Sequence, residues 1–297
     1  MINLKKVAID DLVEGMISNQ TVCNDRGTIL VVQGVSLTQS IITRLKNFEI
    51  DFIDIKDEED EEKSSEPSPG IPDFTPQKVI SAVRDLTDNI ADLRAVTIKK
   101  NNVAAIEECI LLALHKPFVE KLFAACANDE VLYKHSLRTT IFSINMGLAK
   151  RYDAIRLEQL AICALLHDCG MEKKFRESDV EHPLQGFMKL RDNPEIDMGI
   201  ALVCLQHHER YDGSGFPFGF SRTQISELSL LIAVADHYDR LLIRKNDPRK
   251  AMFKTIEKKN TFFAPDMIDL FGSTIDWSRL YNIPKELPDK EKIHQQK

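Results

Sequence analysis

The residues best suited to chemistry are a dense set of histidines. Of the eight in the chain, five fall between positions 135 and 208: His135, His167, His182, His207 and His208. Their neighbours are informative. His167 and Asp168 close the apolar stretch LEQLAICALLHDCG, and His207 and His208 close another before the polar string ERYDGSGFP. Asp236 follows the apolar run LSLLIAVAD, where a carboxylate ending a buried helix is costly unless it is paired or bound to a cation. Paired imidazoles carry a similar cost, because each neutral ring must satisfy one donor and one acceptor. A metal ion satisfies the acceptor side, and imidazole mixed with carboxylate suits Fe, Mn, Zn or Ni better than Ca or Mg. An adjacent His and Asp point in different directions, so both reach one ion only if the chain turns, which Gly170 permits.

The elements that must position these residues are helices. Apolar residues recur at three- and four-residue steps in Val79, Val83, Leu86, Ile90, Leu93 and Ile98, again from Ile106 to Leu114, and again in Phe118, Leu122 and Phe123. Tyr133 to Lys150, Leu157 to His167 and Asp197 to His208 continue the pattern. Residues 73–283 are therefore expected to form a mainly α bundle, with the helices from Asp73 to Ala127 packing on its core or on a second copy of the chain. Residues 1–56 read differently, as a small α+β domain. Ile17–Val22 and Gly27–Val32 predict a hairpin turned by Asn24–Gly27, Ser36 or Thr38 caps a helix bearing Ile41, Ile42 and Leu45, and the alternating FEIDFIDI predicts a strand that completes the sheet. Residues 57–72, rich in acid, Ser and Pro, predict a solvated linker, and the polar residues 284–297 a frayed tail.

Composition bounds the partners. The six acids Asp57–Glu62 contribute −6 of a formal net charge of −7, leaving the rest near −1. No basic stripe is available for duplex nucleic acid. Six cysteines without a C-x-x-C pair predict reduced thiols and a cytoplasmic setting, and Cys169 reads as a buried inert thiol. No basic-then-apolar leader pattern and no spanning apolar run is visible.

Taken in order, His135-Ser136, His167-Asp168-Cys169-Gly170, His182-Pro183-x-x-Gly186, HHERYDGSGFP and VADHYDRL resemble the HD-GYP branch of the HD phosphohydrolases, over roughly Val131 to Arg249. Residues 1–56 are similar to a small domain often found ahead of it. The resemblance implies an HD-type helical bundle and a bacterial signalling phosphodiesterase opening cyclic di-GMP to linear pGpG or GMP. It implies metal ligands at His135, His167, Asp168, His182, His207, His208 and Asp236, with Asp168 bridging two ions and His167 and Asp168 serving catalysis. Iron is the first expectation and manganese the second. Val131 stands where three-metal members carry a glutamate, so two ions are expected.

Departures favour an alternative, a degenerate module that binds metal and cyclic di-GMP and signals through a protein partner with little turnover. Met171 replaces a usual lysine, Phe216 the signature tyrosine and Leu230 a usual arginine, and the stretch from Met171 to His182 is short. Substrate contacts are expected at Arg210, Gly213, Ser214, Lys245 and Arg249, with Arg244 and Lys250 as further phosphate-facing candidates, though solvated surface is the commoner fate of such charges. Glu209 and Asp212 either orient imidazoles or cap a turn. Gly213 and Gly215 allow a tight loop that Pro217 stiffens. His115, His237 and His294 read as ordinary core or surface residues.

Overall fold

Apolar residues at three- and four-residue steps need a helix to gather them on one face, and the computed structural model forms helices along most of the described chain beyond residue 75. It describes residues 4–16, 18–20, 22–23, 29–31, 37, 42–43, 45–46, 48, 50–56, 75–89, 100–171, 179–193, 196–244 and 246–282. The turn at Asn24–Gly27, the caps Ser36 and Thr38, the linker 57–72, Ile90, Leu93 and Ile98, residues 172–178 of the short stretch before His182, Lys245, and the tail with His294 lie outside the described residues.

The helices are α1 (Pro76–Asn89), α2 (Lys100–Leu114), α3 (Pro117–Cys126), α4 (Glu130–Ala149), α5 (Ala154–Leu166), α6 (His182–Arg191), α7 (Met198–Gln206), α8 (Glu227–Ile243), α9 (Pro248–Ile256), α10 (Pro265–Ser273) and α11 (Trp277–Asn282). Those that carry the candidate site mostly start on a side-chain cap. Asp129 accepts the N–H groups of Val131 and Leu132, Asp153 that of Arg156, Asp197 that of Gly199, and Ser226 that of Ser229. Helix α4 runs through the middle, packed on α5 and α8, while α6 lies on α7 and α2 on α5. Leu137, Ile141, Leu160, Leu165, Leu231 and Ile232 are fully buried in this core. Asp236 does not end its helix: α8 continues to Ile243, because Asp239 and Arg240 are themselves buried and paired and so do not turn the chain out to water.

The N-terminal residues form two small antiparallel pairs. Two of the predicted strands pair antiparallel over short stretches, β2 (Val22–Cys23) against β3 (Ile29–Val31). The alternating strand, β4 (Phe52–Lys56), does not complete that sheet. It pairs with β1 (Leu4–Ala8), from Leu4 opposite Lys56 to Ala8 opposite Phe52, and touches the preceding segment at Ser18 opposite Ile55. Local patterning could not reveal a partner 44 to 52 residues away. Ile53 and Ile55 bury with Val7, Ile9, Leu37, Ile42 and Leu45 in a second apolar core, and Leu184 and Met188 of α6 pack against it. No described helix is long and apolar enough to cross a membrane.

Candidate metal centre

Three helix ends and two helix interiors converge on one point. His167 caps the C-terminus of α5 and Asp168 follows it, His207 caps α7 and His208 follows, His182 begins α6, and His135 and Asp236 project from within α4 and α8. Gly170 permits the approach, though not through an unusual φ. A Cβ there would stand 2.0 Å from the His182 carbonyl oxygen and 2.6 Å from the Gly186 nitrogen, so any side chain would push α6 away from Asp168. Gly215 has a matching role, since a Cβ would meet Arg210 N at 2.4 Å and the His208 carbonyl oxygen at 2.5 Å.

Hydrogen bonding fixes the tautomers. His167 Nδ1 lies 2.7 Å from the Ala164 carbonyl oxygen, His182 Nδ1 2.7 Å from that of Asp179, and His207 Nδ1 2.8 Å from that of Cys204. A carbonyl oxygen only accepts, so each Nδ1 carries the proton. His135 Nδ1 donates to Asp239 Oδ2 at 2.7 Å, and Arg138 braces the same carboxylate. The Nε2 atoms of these rings therefore face inward, and they face one another. His135 and His167 Nε2 are 3.2 Å apart, His182 and His207 3.2 Å, and His182 and His208 3.1 Å. Nitrogens opposed at such spacing need a cation between them, either a proton or a metal ion.

Two quartets result, sharing Asp168. Its Oδ2 lies 3.3 Å from His135 Nε2 and 3.4 Å from His167 Nε2, with Asp236 Oδ1 3.0 Å from His135 Nε2. Its Oδ1 lies 3.1 Å from His182 Nε2 and 3.3 Å from His207 Nε2. In each quartet the ligand atoms lie within 4.8 Å of one another, close to the spread of at most about 4.4 Å around an ion held at about 2.0–2.2 Å. Asp168 Oδ1 is also buried without a hydrogen-bond donor among the described residues, a costly state that a cation would relieve.

The rings respond to their surroundings in opposite senses. Burial acts to lower all of them, but at His135 the carboxylates of Asp168, Asp236 and Asp239 outweigh it and hold the ring up at about 10. Against the same burial, Asp168 and Asp236 raise His167 to about 9. Burial wins at His207, at about 4, and at His208, held well below its ordinary value by burial and by the neighbouring His207 and Arg240. Burial would raise Asp168 and Asp236, yet nearby imidazoles and the Arg240 guanidinium hold both well below the carboxylate range.

Beside the quartets lies a cavity of about 160 Å³, bounded by His208, Arg210, Arg240, Arg244 and the rings of Phe216 and Phe262 among others. Phe216 stacks on His208 with ring centres 4.7 Å apart, which needs the ring and not the tyrosine hydroxyl. Arg210 lies over Phe262 at 3.6 Å. Several expectations need correction. Glu209 does not orient an imidazole: its Oε1 accepts the Phe218 N–H at 2.7 Å. Asp212 likewise accepts the N–H and hydroxyl of Ser214, so Gly213 and Ser214 serve the loop and do not line the cavity. Arg249 donates to the Leu280 carbonyl, which occupies it in tying α9 to α11. His237, taken as ordinary, lines the cavity. Met171 is 6% exposed and packs into the main core. Asp239, Arg138 and Arg240 were missed; the i+3 and i+4 spacing of Asp239 and Arg240 from Asp236 was the available signal.

A family model described as HD domain matches residues 112–260. The chain is similar to a cyclic di-GMP phosphodiesterase of Pseudomonas aeruginosa, 32% identical over 38% of this chain and 31% of the relative. It is similar to a cyclic di-GMP phosphodiesterase of Thermotoga maritima, 35% identical over 48% of this chain and 44% of that one. It also resembles the cyclic di-GMP phosphodiesterase response regulator RpfG of Xanthomonas campestris, 46% identical over 33% and 29%. The chain thus spans less than half the length of these curated relatives. Among solved structures it is similar to an HDG"Y"P protein from Bdellovibrio bacteriovorus, with a TM-score of 0.46 and 17% identity over 91% of this chain and 99% of that one.

Proposed function

Since the chain belongs to the HD domain family, matching its model over residues 112–260, we propose that it is a metal-dependent phosphodiesterase that opens cyclic di-GMP to linear pGpG or GMP. One observation carries this reading: the two oxygens of a single buried carboxylate, Asp168, each face a separate group of inward-pointing imidazole nitrogens. His135, His167, Asp168 and Asp236 would hold one ion, and His182, His207, His208 and Asp168 the other, with iron as the first candidate and manganese the second. Bound there, such ions supply positive charge to phosphoryl oxygens and make water a competent nucleophile at neutral pH.

The chain's own residues do the rest. Asp239 and the three main-chain carbonyls hold the ring planes, so the donor atoms are placed before any ligand arrives. Arg210 and Arg244 bring positive charge to the cavity, and Phe216 and Phe262 offer aromatic faces that exclude water. At about 160 Å³ the cavity takes the phosphodiester and leaves the bulk of a dinucleotide outside it. In this reading residues 1–56 are a regulatory module, 57–72 a linker, 73–283 the catalytic domain and 284–297 a tail, in a cytoplasmic signalling protein that works with a second copy or a protein partner. The module's contact with Leu184 and Met188 lies on the helix that begins at His182.

A second reading, a binding module with little turnover, is favoured by Met171, whose apolar side chain is buried where the resemblance would place an ammonium group. The protein loaded anaerobically with Fe(II) or Mn(II) and given cyclic di-GMP should release a linear product. Retention of intact cyclic di-GMP without product would establish the second reading instead.

A further inference from the structure

The two quartets are not equivalent, and the difference lies in Arg240. Its Nε donates to Asp236 Oδ1 at 2.6 Å and its Nη2 to Asp168 Oδ2 at 3.0 Å. These are the same two oxygens that stand 3.0 and 3.3 Å from His135 Nε2. The guanidinium therefore already uses the carboxylate charge that an ion at His135 and His167 would need. In the other quartet, Asp168 Oδ1 is buried with no donor among the described residues, and three imidazoles surround it.

We propose that Arg240 is a resident cation of the His135–His167–Asp236 quartet, so that metal enters first at His182, His207, His208 and Asp168, and at the other quartet only as the guanidinium yields its oxygens. The inference rests on the reading of the site as a two-ion centre. Arginine does not lose its proton in a protein, so a divalent ion in that quartet would face a permanent positive charge across shared oxygens. The side chain is 10% exposed, and as the i+4 neighbour of Asp236 on α8 it is held over that carboxylate. It also lines the cavity with Arg210 and Arg244, so a displaced guanidinium has space on the side where a phosphate would arrive.

The test is a titration of metal-stripped full-length chain with Mn(II), followed by calorimetry and by electron paramagnetic resonance, which separates lone from coupled ions. Two binding constants at least tenfold apart are expected, with the coupled signal appearing only at the second. Arg240→Leu should tighten the weaker constant at least tenfold and leave the stronger one within about threefold; Arg240→Lys, which keeps the charge but loses the fork, should fall between. In the natural chain, His208→Ala should remove the tight site and His135→Ala the weak one. Two equal constants in the natural chain, or a weaker constant unmoved in a folded Arg240→Leu protein, would overturn the role of Arg240 alone. Failure to bind Mn(II) at either site would overturn the two-ion centre with it.

Discussion

His135 and His167 stand on one side of Asp168 and His207 and His208 on the other, and the same side chain behaves in opposite ways across that carboxylate. On the first side Asp236 and Asp239 surround the rings, and proton affinity rises to about 10 and about 9. On the second, imidazole faces imidazole, the rings lean on main-chain carbonyls or on Phe216, and proton affinity falls to about 4 at His207 and well below its ordinary value at His208. One half is a carboxylate cage that holds protons and a guanidinium until something displaces them. The other is a set of neutral donors already aimed at a cation.

Asp168 joins the halves, so its loss should erase the contrast altogether. Asp168→Asn is expected to drop metal content below one ion per chain and turnover on the order of 1,000-fold or more, since several kcal/mol of charge stabilisation depend on the ions. Elemental analysis beside product formation checks this, and retention of two ions by the Asn variant would show that the halves do not share the residue. Asp239→Asn should act on one side only. Asp239 orients His135 through Nδ1, and losing such a partner typically costs roughly 10- to 100-fold in metal affinity. Equal losses at both sites would contradict the division.

Four of the ligands were legible in the sequence because they sit at abrupt edges, whereas His135 and Asp236 lie inside their helices. His167-Asp168 and His207-His208 end long apolar runs, and polar residues there need a reason. Their convergence followed only from the order of the motifs, not from any spacing. Asp239 and Arg240 left no such edge: they lie inside α8, three and four residues after Asp236, and their importance comes from α4 and α5 packing across them. The pairing of Leu4–Ala8 with Phe52–Lys56 was hidden for a related reason, because LKKVA has too little alternation to declare a strand before its partner is known. Gly170 was read as permitting a turn, whereas its lack of a side chain is what lets α6 begin against it.

A gentler probe of the contrast is pH. At pH 7.5 the carboxylate-rich half holds protons on His135 and His167, so metal entering there should release about two, while His207 and His208 should release almost none. Calorimetry in buffers of different ionisation enthalpy counts them. The stability of the metal-stripped chain should reflect the same split. His135 and His167 have folded values above the ordinary 6.5, so their contribution is full below about 6.5 and is lost as pH rises through about 9 and 10. His207 and His208 have folded values below 6.5, so theirs is full above it and is lost as pH falls, toward 4 for His207. Asp168 and Asp236, held low, add a loss at still more acid pH. Thermal unfolding should therefore be hardest near pH 6.5, and a flat profile from pH 5 to 9 would count against this assignment of protons.

The smallest expected effect separates scaffold from ligand support on the imidazole-rich side. Glu209 follows His208 directly, so adjacency alone would make it a partner for an imidazole, yet its carboxylate turns away and accepts the Phe218 N–H. Burial raises its proton affinity and the backbone N–H groups of residues 218 to 220 oppose that rise, as expected for an acid that holds a loop together. Glu209→Ala should therefore cost about 1–3 kcal/mol of stability through the unmade hydrogen bond, with metal affinity at the His208 quartet changing only a few-fold. A hundredfold loss of metal with unchanged unfolding would mean that Glu209 acts on the rings after all. The imidazole-rich half would then depend on side-chain charge as its neighbour does, and the contrast between the two halves would shrink to Arg240.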